Sequence, residues 1–295
     1  MIEEVSVATR ISDTQVYNCD YADGAPFLVS EWQGCELSAN EMNVPHRHNG
    51  YSIGILIKGK MRQTLDFKQY EVKAPALILM EPNQVHQHTM EPGVELIDIY
   101  FEEEFMVPEM AGVISCWRCV FASGIIPLNN AQLEEVLSYA RLMMRESDNN
   151  NLKRDVVIRS LLSAFVVVVA RIGEPSGEWM AGESTRHNMV RQFKMLVDRH
   201  YHEKTQVSDY AEMLYVSPGH LNDTVKELLG RNAKFLIDEK RIMEAKRLLY
   251  WGEHSVKQIA ARLNFEDDAY FNRFFKKHSG YTPASFQKSI REKYN

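Results

Sequence analysis

The chain has 295 residues, 45% of them hydrophobic, enough to bury two domain cores. Its net charge of −6 hides an uneven split: residues 184–295 hold 20 Lys and Arg against 14 Asp and Glu, net +6, whereas residues 1–183 hold 14 against 26, net −12. A basic half beside an acidic one is expected of a nucleic-acid module joined to a module that stays off the DNA.

At the start, Met1-Ile-Glu-Glu lacks the basic opening and apolar core of a signal peptide, so a soluble, cytoplasmic protein with no membrane partner is expected. From Phe27 to about Phe101 short apolar runs alternate with turns. Residues 51–58, 61–67, 70–73, 76–80, 85–89 and 94–101 are predicted strands, with turns at Gly59-Lys60 and Glu81-Pro-Asn-Gln84. Even strand spacing of this kind predicts a barrel or sandwich. His46 and His48 fall on one strand face, as do His86 and His88, because side chains alternate with period two. Three such imidazoles could hold Zn²⁺ or Fe²⁺ if the barrel joined the pairs.

Pro45-His46-Arg47-His48 followed by Gly59, and later Pro82-Asn-Gln-Val-His86, resemble the two halves of the cupin motif. Ser52 lies near the place where cupin enzymes carry a glutamate ligand, and Gln84 stands where a glycine is usual. Without the carboxylate the histidines read as lining of a small-molecule pocket, and neither a metal nor another cofactor is expected. The candidate lining residues are His46, His48, Tyr51, Met61, His86 and Tyr100.

Cys116-Trp-Arg-Cys119 has redox or zinc-knuckle spacing, but no second pair accompanies it; with Cys19 and Cys35 it reads as ordinary reduced thiols. After Pro127 helical periodicity returns. Asn130 is the expected cap of a helix with Leu133, Val136, Leu137, Ala140, Met143 and Met144 on one stripe. A second helix is expected over about 152–172. Its stretch 161–170 is almost uniformly apolar, yet only about half the length of a membrane span. A helix apolar on all sides must be covered on all sides, so it is expected to pack on the barrel and on a second copy, with Phe165 and Val168 in a homodimer interface. Residues 174–184, rich in Gly and Ser, read as a linker.

In 207–230, Ser208 is the expected cap of a short helix bearing Tyr210, Ala211 and Leu214, and the chain turns at Tyr215-Val216. Ser217 then caps a second helix with Pro218 at its first position, where a missing N–H is harmless, and Gly230 ends it. Leu221, Val225 and Leu228 point inward, leaving Gly219, His220, Asn222, Asp223, Lys226 and Glu227 outside. Asn222 is a candidate adenine reader; Asp223 is repelled by phosphate unless it accepts from cytosine N4. Residues 232–250 form one long helix of roughly 27 Å, which could set two reading helices in successive major-groove segments about 34 Å apart.

The same unit recurs in 255–286. Ile259, Ala260 and Leu263 form its first stripe, Asn264 stops that helix, and Asp267 caps a second with Tyr270, Phe271, Phe274 and Phe275 inward. Asp268, Asn272, Arg273, Lys276 and Lys277 remain outside. Arg273 can donate two hydrogen bonds to guanine O6 and N7, and the two lysines suit phosphates. Ser217-Pro218, Arg241 with Ala245 and Leu248-Leu249, Leu263-Asn264-Phe265, 270–277 and Gly280-Tyr-Thr-Pro283 resemble the AraC/XylS-type DNA-binding domain over about 186–286.

The resemblance implies DNA-facing positions at Gly219, Asn222 and Asp223 in the first reading helix and at Asp268, Ala269, Asn272 and Arg273 in the second, with Arg241 in the linking helix. Asp223 departs from it, since a basic or amide residue is more usual there. The expected architecture is α+β, with a sensor barrel in 1–126, a helical dimerisation element in 127–172, a linker in 173–185 and a double helix-turn-helix domain in 186–295. The expected function is a transcription regulator, an activator by the resemblance, that binds promoter DNA under control of a small-molecule effector and contacts RNA polymerase. A cupin-type metal enzyme with a DNA-binding tail, and an effector-independent DNA-binding protein, are the alternatives.

Overall fold

Side-chain alternation along the strands of the first half builds two facing five-stranded sheets. The computed structural model describes residues 17–18, 25–33, 44–106, 121, 123–149, 151–173 and 185–294; the four cysteines and the linker 174–184 lie outside them. The described residues form two compact units, 17–173 and 185–294.

The strands are β1 (Tyr17–Asn18), β2 (Phe27–Gln33), β3 (His46–Arg47), β4 (Tyr51–Lys58), β5 (Lys60–Leu65), β6 (Lys68–Lys73), β7 (Ala76–Met80), β8 (His86–Met90), β9 (Glu95–Phe101) and β10 (Ile125–Pro127). One sheet runs β1-β3-β8-β5-β6 and the other β10-β7-β4-β9-β2. Along β4, Tyr51, Ile53 and Ile55 enter a core shared with two helices, whereas Leu56 joins a second core between the sheets with Met61, Ile78, Met80 and Leu96. The β4–β5 turn requires Gly59, which has φ +90° and would place a Cβ 2.9 Å from Val94 Cγ2.

Helix α1 (Asn130–Ser147) is capped by Asn129, one residue earlier than expected. Gln132 decides this register: Asn129 Oδ1 accepts from the Gln132 N–H and Gln132 Oε1 from the Asn129 N–H, each at 2.9 Å, closing a capping box. Helix α2 (Arg154–Gly173) buries Ile158, Leu162, Phe165, Val166, Val168, Val169, Ala170 and Ile172. Phe165 and Val168 lie in the core that includes Ile53 and Ile55, not on an outer face. The expected dimer contact through them is therefore wrong. At 20 residues α2 has the length and composition of a membrane span, but its apolar face is taken up by this core. Its open side presents Val156, Val157, Ser160 and Ala164.

The second unit is helical: α3 (Thr185–His200), α4 (Val207–Met213), α5 (Pro218–Leu229), α6 (Ala233–Trp251), α7 (Val256–Arg262), α8 (Asp268–Ser279) and α9 (Pro283–Tyr294). Gln206, not Ser208, is the N-cap of α4, because the Asp209 carboxylate reaches back to accept from the N–H groups of Thr205 (3.1 Å) and Gln206 (2.9 Å). The turns at Tyr215 and Asn264 share a left-handed φ of 56°, and α5 and α8 both end on left-handed glycines, Gly230 and Gly280. Helix α6 joins the two helix-turn-helix pairs, α4–α5 and α7–α8.

Candidate nucleic-acid interface and barrel cavity

The reading helices share one burial pattern, residue for residue 50 apart. Leu221, Thr224 and Val225 of α5 are buried, as are Phe271, Phe274 and Phe275 of α8; Asn222 and Asn272 are half-buried in both. The outer faces differ in charge. On α5, Asp223, Lys226 and Glu227 give net −1, and Glu227 is held by Arg186 at 2.9 and 3.0 Å. On α8, Asp268, Arg273, Lys276 and Lys277 give net +2, and none of these cations forms an ion pair among the described residues. Arg273 lies with its guanidinium carbon 5.9 Å from the Tyr270 ring centroid, a loose contact that leaves it exposed. Gly219, His220 and Ala269 are exposed as expected, while Ser217 and Asp267 cap the two helices by accepting from the His220 and Tyr270 N–H groups.

The two asparagines are used differently. Asn222 Oδ1 accepts from the Ala233 N–H at 3.1 Å, tying α5 to the start of α6. The equivalent residue at the start of α9 is Pro283, which has no N–H to give. Asn272 instead donates from Nδ2 to the Asp268 carbonyl at 2.6 Å, so its own carbonyl oxygen carries no partner among the described residues. Arg241 corrects an expectation. It is 3% exposed, donates to the Leu263 carbonyl at 2.7 Å, and stacks 4.1 Å from Phe265 and 5.4 Å from Phe274. Burial pushes its guanidinium below the ordinary value, partly offset by Asp238. It fastens α6 to the second pair, out of reach of a groove.

In the first unit a cavity of about 30 Å³ lies between the sheets. Four of the six expected residues line it: His46, His48, Met61 and His86. Tyr51 does not, because its position on β4 has the opposite parity to Ser52 and Gly54; it stacks instead on Phe101 and meets Phe121 edge-on. Tyr100 has the right parity but stands beyond the cavity, against His48 at 5.4 Å and donating to Glu102 at 3.4 Å. His88 and Ser52, which the sequence singles out without naming them as pocket lining, and Gln63, Asp98 and Trp32, which it does not single out, complete the polar lining. Ser52 and Asp98 have a legible signal, since β4 and β9 alternate and their register pairs Gly54 with Asp98; Trp32 does not.

The imidazoles form one cluster. His86 lies 4.2 Å from His46 and 4.7 Å from His48, and His46 lies 5.9 Å from His88, centroid to centroid. The Nδ1 atoms of His46, His48 and His86 each meet a main-chain carbonyl two residues away, Val44 (2.9 Å), Gly50 (2.8 Å) and Gln84 (2.9 Å). Burial pushes all four below the ordinary histidine range, His48 to about 4 and His88 to about 3, so they are neutral at neutral pH. The residues do not fit a cupin metal: no group of three His, Cys, Asp or Glu among the described residues is placed to hold one. Ser52, at the place of the carboxylate ligand, donates instead to Asp98 Oδ1 at 2.6 Å.

Residues 38–166 match the AraC-like ligand binding domain and residues 210–289 a helix-turn-helix domain. The chain is similar to the uncharacterized HTH-type transcriptional regulator YisR of Bacillus subtilis, 25% identical over 167 residues, 55% of this chain and 52% of that one. It is 20% identical to the HTH-type transcriptional activator RhaS of Salmonella schwarzengrund over 254 residues, 82% and 86% of the two chains. With the arabinose operon regulatory protein of Escherichia coli it shares 28% identity over 109 residues, 37% of each. The match spans about half the length of YisR, and 32% and 22% of two further relatives. The chain thus carries an AraC-like ligand-binding domain in its first half and a helix-turn-helix domain in its second, and the relatives it resembles are helix-turn-helix transcriptional regulators.

Proposed function

We propose that this protein holds double-stranded promoter DNA with its C-terminal unit and that a small molecule in its N-terminal barrel controls that hold. The observation that carries the reading is the outer face of α8, where Arg273, Lys276 and Lys277 stand exposed without ion pairs among the described residues. A cationic helix face of this kind suits phosphates, and the Arg273 fork suits guanine. Asp268, Ala269 and Asn272 share its reading face. Ser217, Gly219, His220, Asp223 and Lys226 form the weaker contact on α5, which positions more than it reads.

Effector control is supported by the cavity. At about 30 Å³ it has room for little more than water, so an effector must spread its lining. A ligand that binds the spread arrangement better than the closed one shifts the balance between them. Activation through RNA polymerase is part of the proposal, in keeping with the name of RhaS as an activator. So are the sensor, helical, linker and DNA-binding segments at 1–126, 127–172, 173–185 and 186–295, a cytoplasmic location and a homodimer. No residue is given a catalytic role.

Selection of bound sequences from a random duplex pool by the full chain, followed by footprinting, tests this. The expected product is a site with one closely specified half adjoining a loosely specified half. A pool that stays random after selection sinks the promoter-binding reading.

A further inference from the structure

The barrel cavity carries more chemistry than its family match requires. A main-chain carbonyl can only accept, so the Nδ1 atoms of His46 and His86 that meet Val44 and Gln84 must carry the protons. In the neutral imidazoles the lone pair then sits on Nε2. This wall of the cavity therefore asks for hydrogen-bond donors. Across the same lining, Trp32 Nε1 is buried with no acceptor among the described residues, so it asks for the opposite. A hydroxyl is the small group that satisfies both, since it donates one bond and accepts others. An ammonium has nothing to accept with, and an ether oxygen has nothing to donate.

Charge and shape narrow the class. Among the described residues the lining contains no Lys or Arg, so a carboxylate would enter a buried site beside Asp98 with no lysine or arginine of the described lining to meet it. The rest of the lining is mixed: His48, Ser52, Gln63, His88 and Asp98 are polar, but Met61, Ile78, Met80 and Leu96 belong to one apolar cluster, and the hydroxyls that a polyol turned toward that cluster would be stranded. Flat rings suit such a cluster, because thioether sulfurs pack well on aromatic edges. The closed cavity is too small for a ring, but Met61 and Met80 are unbranched side chains that can swing aside.

We propose that the effector is an uncharged aromatic alcohol, a phenol or catechol, whose hydroxyl sits between the His46/His86 imidazoles and the Trp32 indole and whose ring takes the place of the methionine side chains. This rests on the effector reading above and specifies its chemistry. Titration calorimetry of the full chain with phenol, catechol, anisole, benzoate and glucose tests it. The expected result is saturable one-to-one binding of phenol or catechol, weaker binding of anisole, which lacks the donor, and none of benzoate or glucose.

Trp32→Phe should weaken the phenol or catechol about three- to tenfold, the loss of one neutral hydrogen bond. Anisole binding as tightly as phenol would overturn the hydroxyl assignment without depending on any variant's folding. Benzoate or glucose binding in preference overturns the class while leaving effector control intact. If none of the five binds, the class is wrong, and effector control is then decided by whether a broad metabolite panel changes the DNA footprint.

Discussion

Arg273 and Lys276 sit one helical turn apart on α8, and their chemistry separates their expected defects. Arg273→Ala should cost roughly 1–3 kcal/mol on the selected site and relax preference at one base pair. Lys276→Ala should weaken all sequences alike and lower the salt slope by about one. Competition binding across salt concentrations distinguishes them, and equal loss of specific and random DNA in Arg273→Ala contradicts a base-reading role. The asparagines should part in a different way. Asn222→Ala removes the acceptor of the Ala233 N–H and should cost about 1 kcal/mol of stability with little change in specificity. Asn272→Ala should leave the melting temperature almost unchanged and alter site preference. A stable Asn222→Ala with altered specificity would reverse the assignment. Sequence alone placed both asparagines on reading faces, since their helical positions are the same. The difference comes from residue 233 against residue 283, an alanine with an N–H against a proline without one.

Among the elements, α5 and α8 were legible because their caps and terminal glycines, and Pro218 at the start of α5, are local signals. Helix α6 was legible as a rod but not as a core element. It is covered on several sides, so Arg241, by pattern a surface cation, is a buried clasp between helices. Helix α2 teaches the converse lesson. Its uniformly apolar middle required full cover, but the sheet and α1 provide it at Phe165 and Val168, while Val156 (57% exposed) and Val157 (40% exposed) near its start remain open. If the homodimer forms through this open side, Val156→Glu with Val157→Glu should halve the mass in sedimentation while the melting temperature barely moves. Phe165→Glu should unfold the unit rather than dissociate it, because it buries an unpaired charge. An unchanged mass in the double variant rules out this side of α2 as the interface.

At the scale of the molecule, the buried imidazoles tie the stability of the first unit to pH. Burial holds His48 at about 4 and His88 at about 3 in the folded barrel, whereas the unfolded chain returns both to about 6.5. Below about 6.5 the unfolded state therefore binds protons that the folded state refuses. Stability is complete above that pH and falls as pH drops through the window, by up to about 1.4 kcal/mol per pH unit for each histidine. Thermal unfolding between pH 7 and pH 4.5 should show a steep decline, made shallower by His88→Gln. Equal slopes in the variant and the parent chain would mean that His88 is not held neutral by burial.

What the sequence determined by itself was whatever is written in short range: strand alternation, helix stripes, caps, the doubled helix-turn-helix pattern and the uneven charge. These follow from periods of two and 3.6 residues and from the conformational limits of Gly, Pro and Asn. Only the tertiary structure decided which face each pattern presents and to what. The parity that removes Tyr51 from the cavity, the return of β2 that brings Trp32 to it, the clasp of Arg241 and the division of labour between Asn222 and Asn272 depend on residues far apart in the chain. No local period encodes them, because each is set by which surfaces must be buried together.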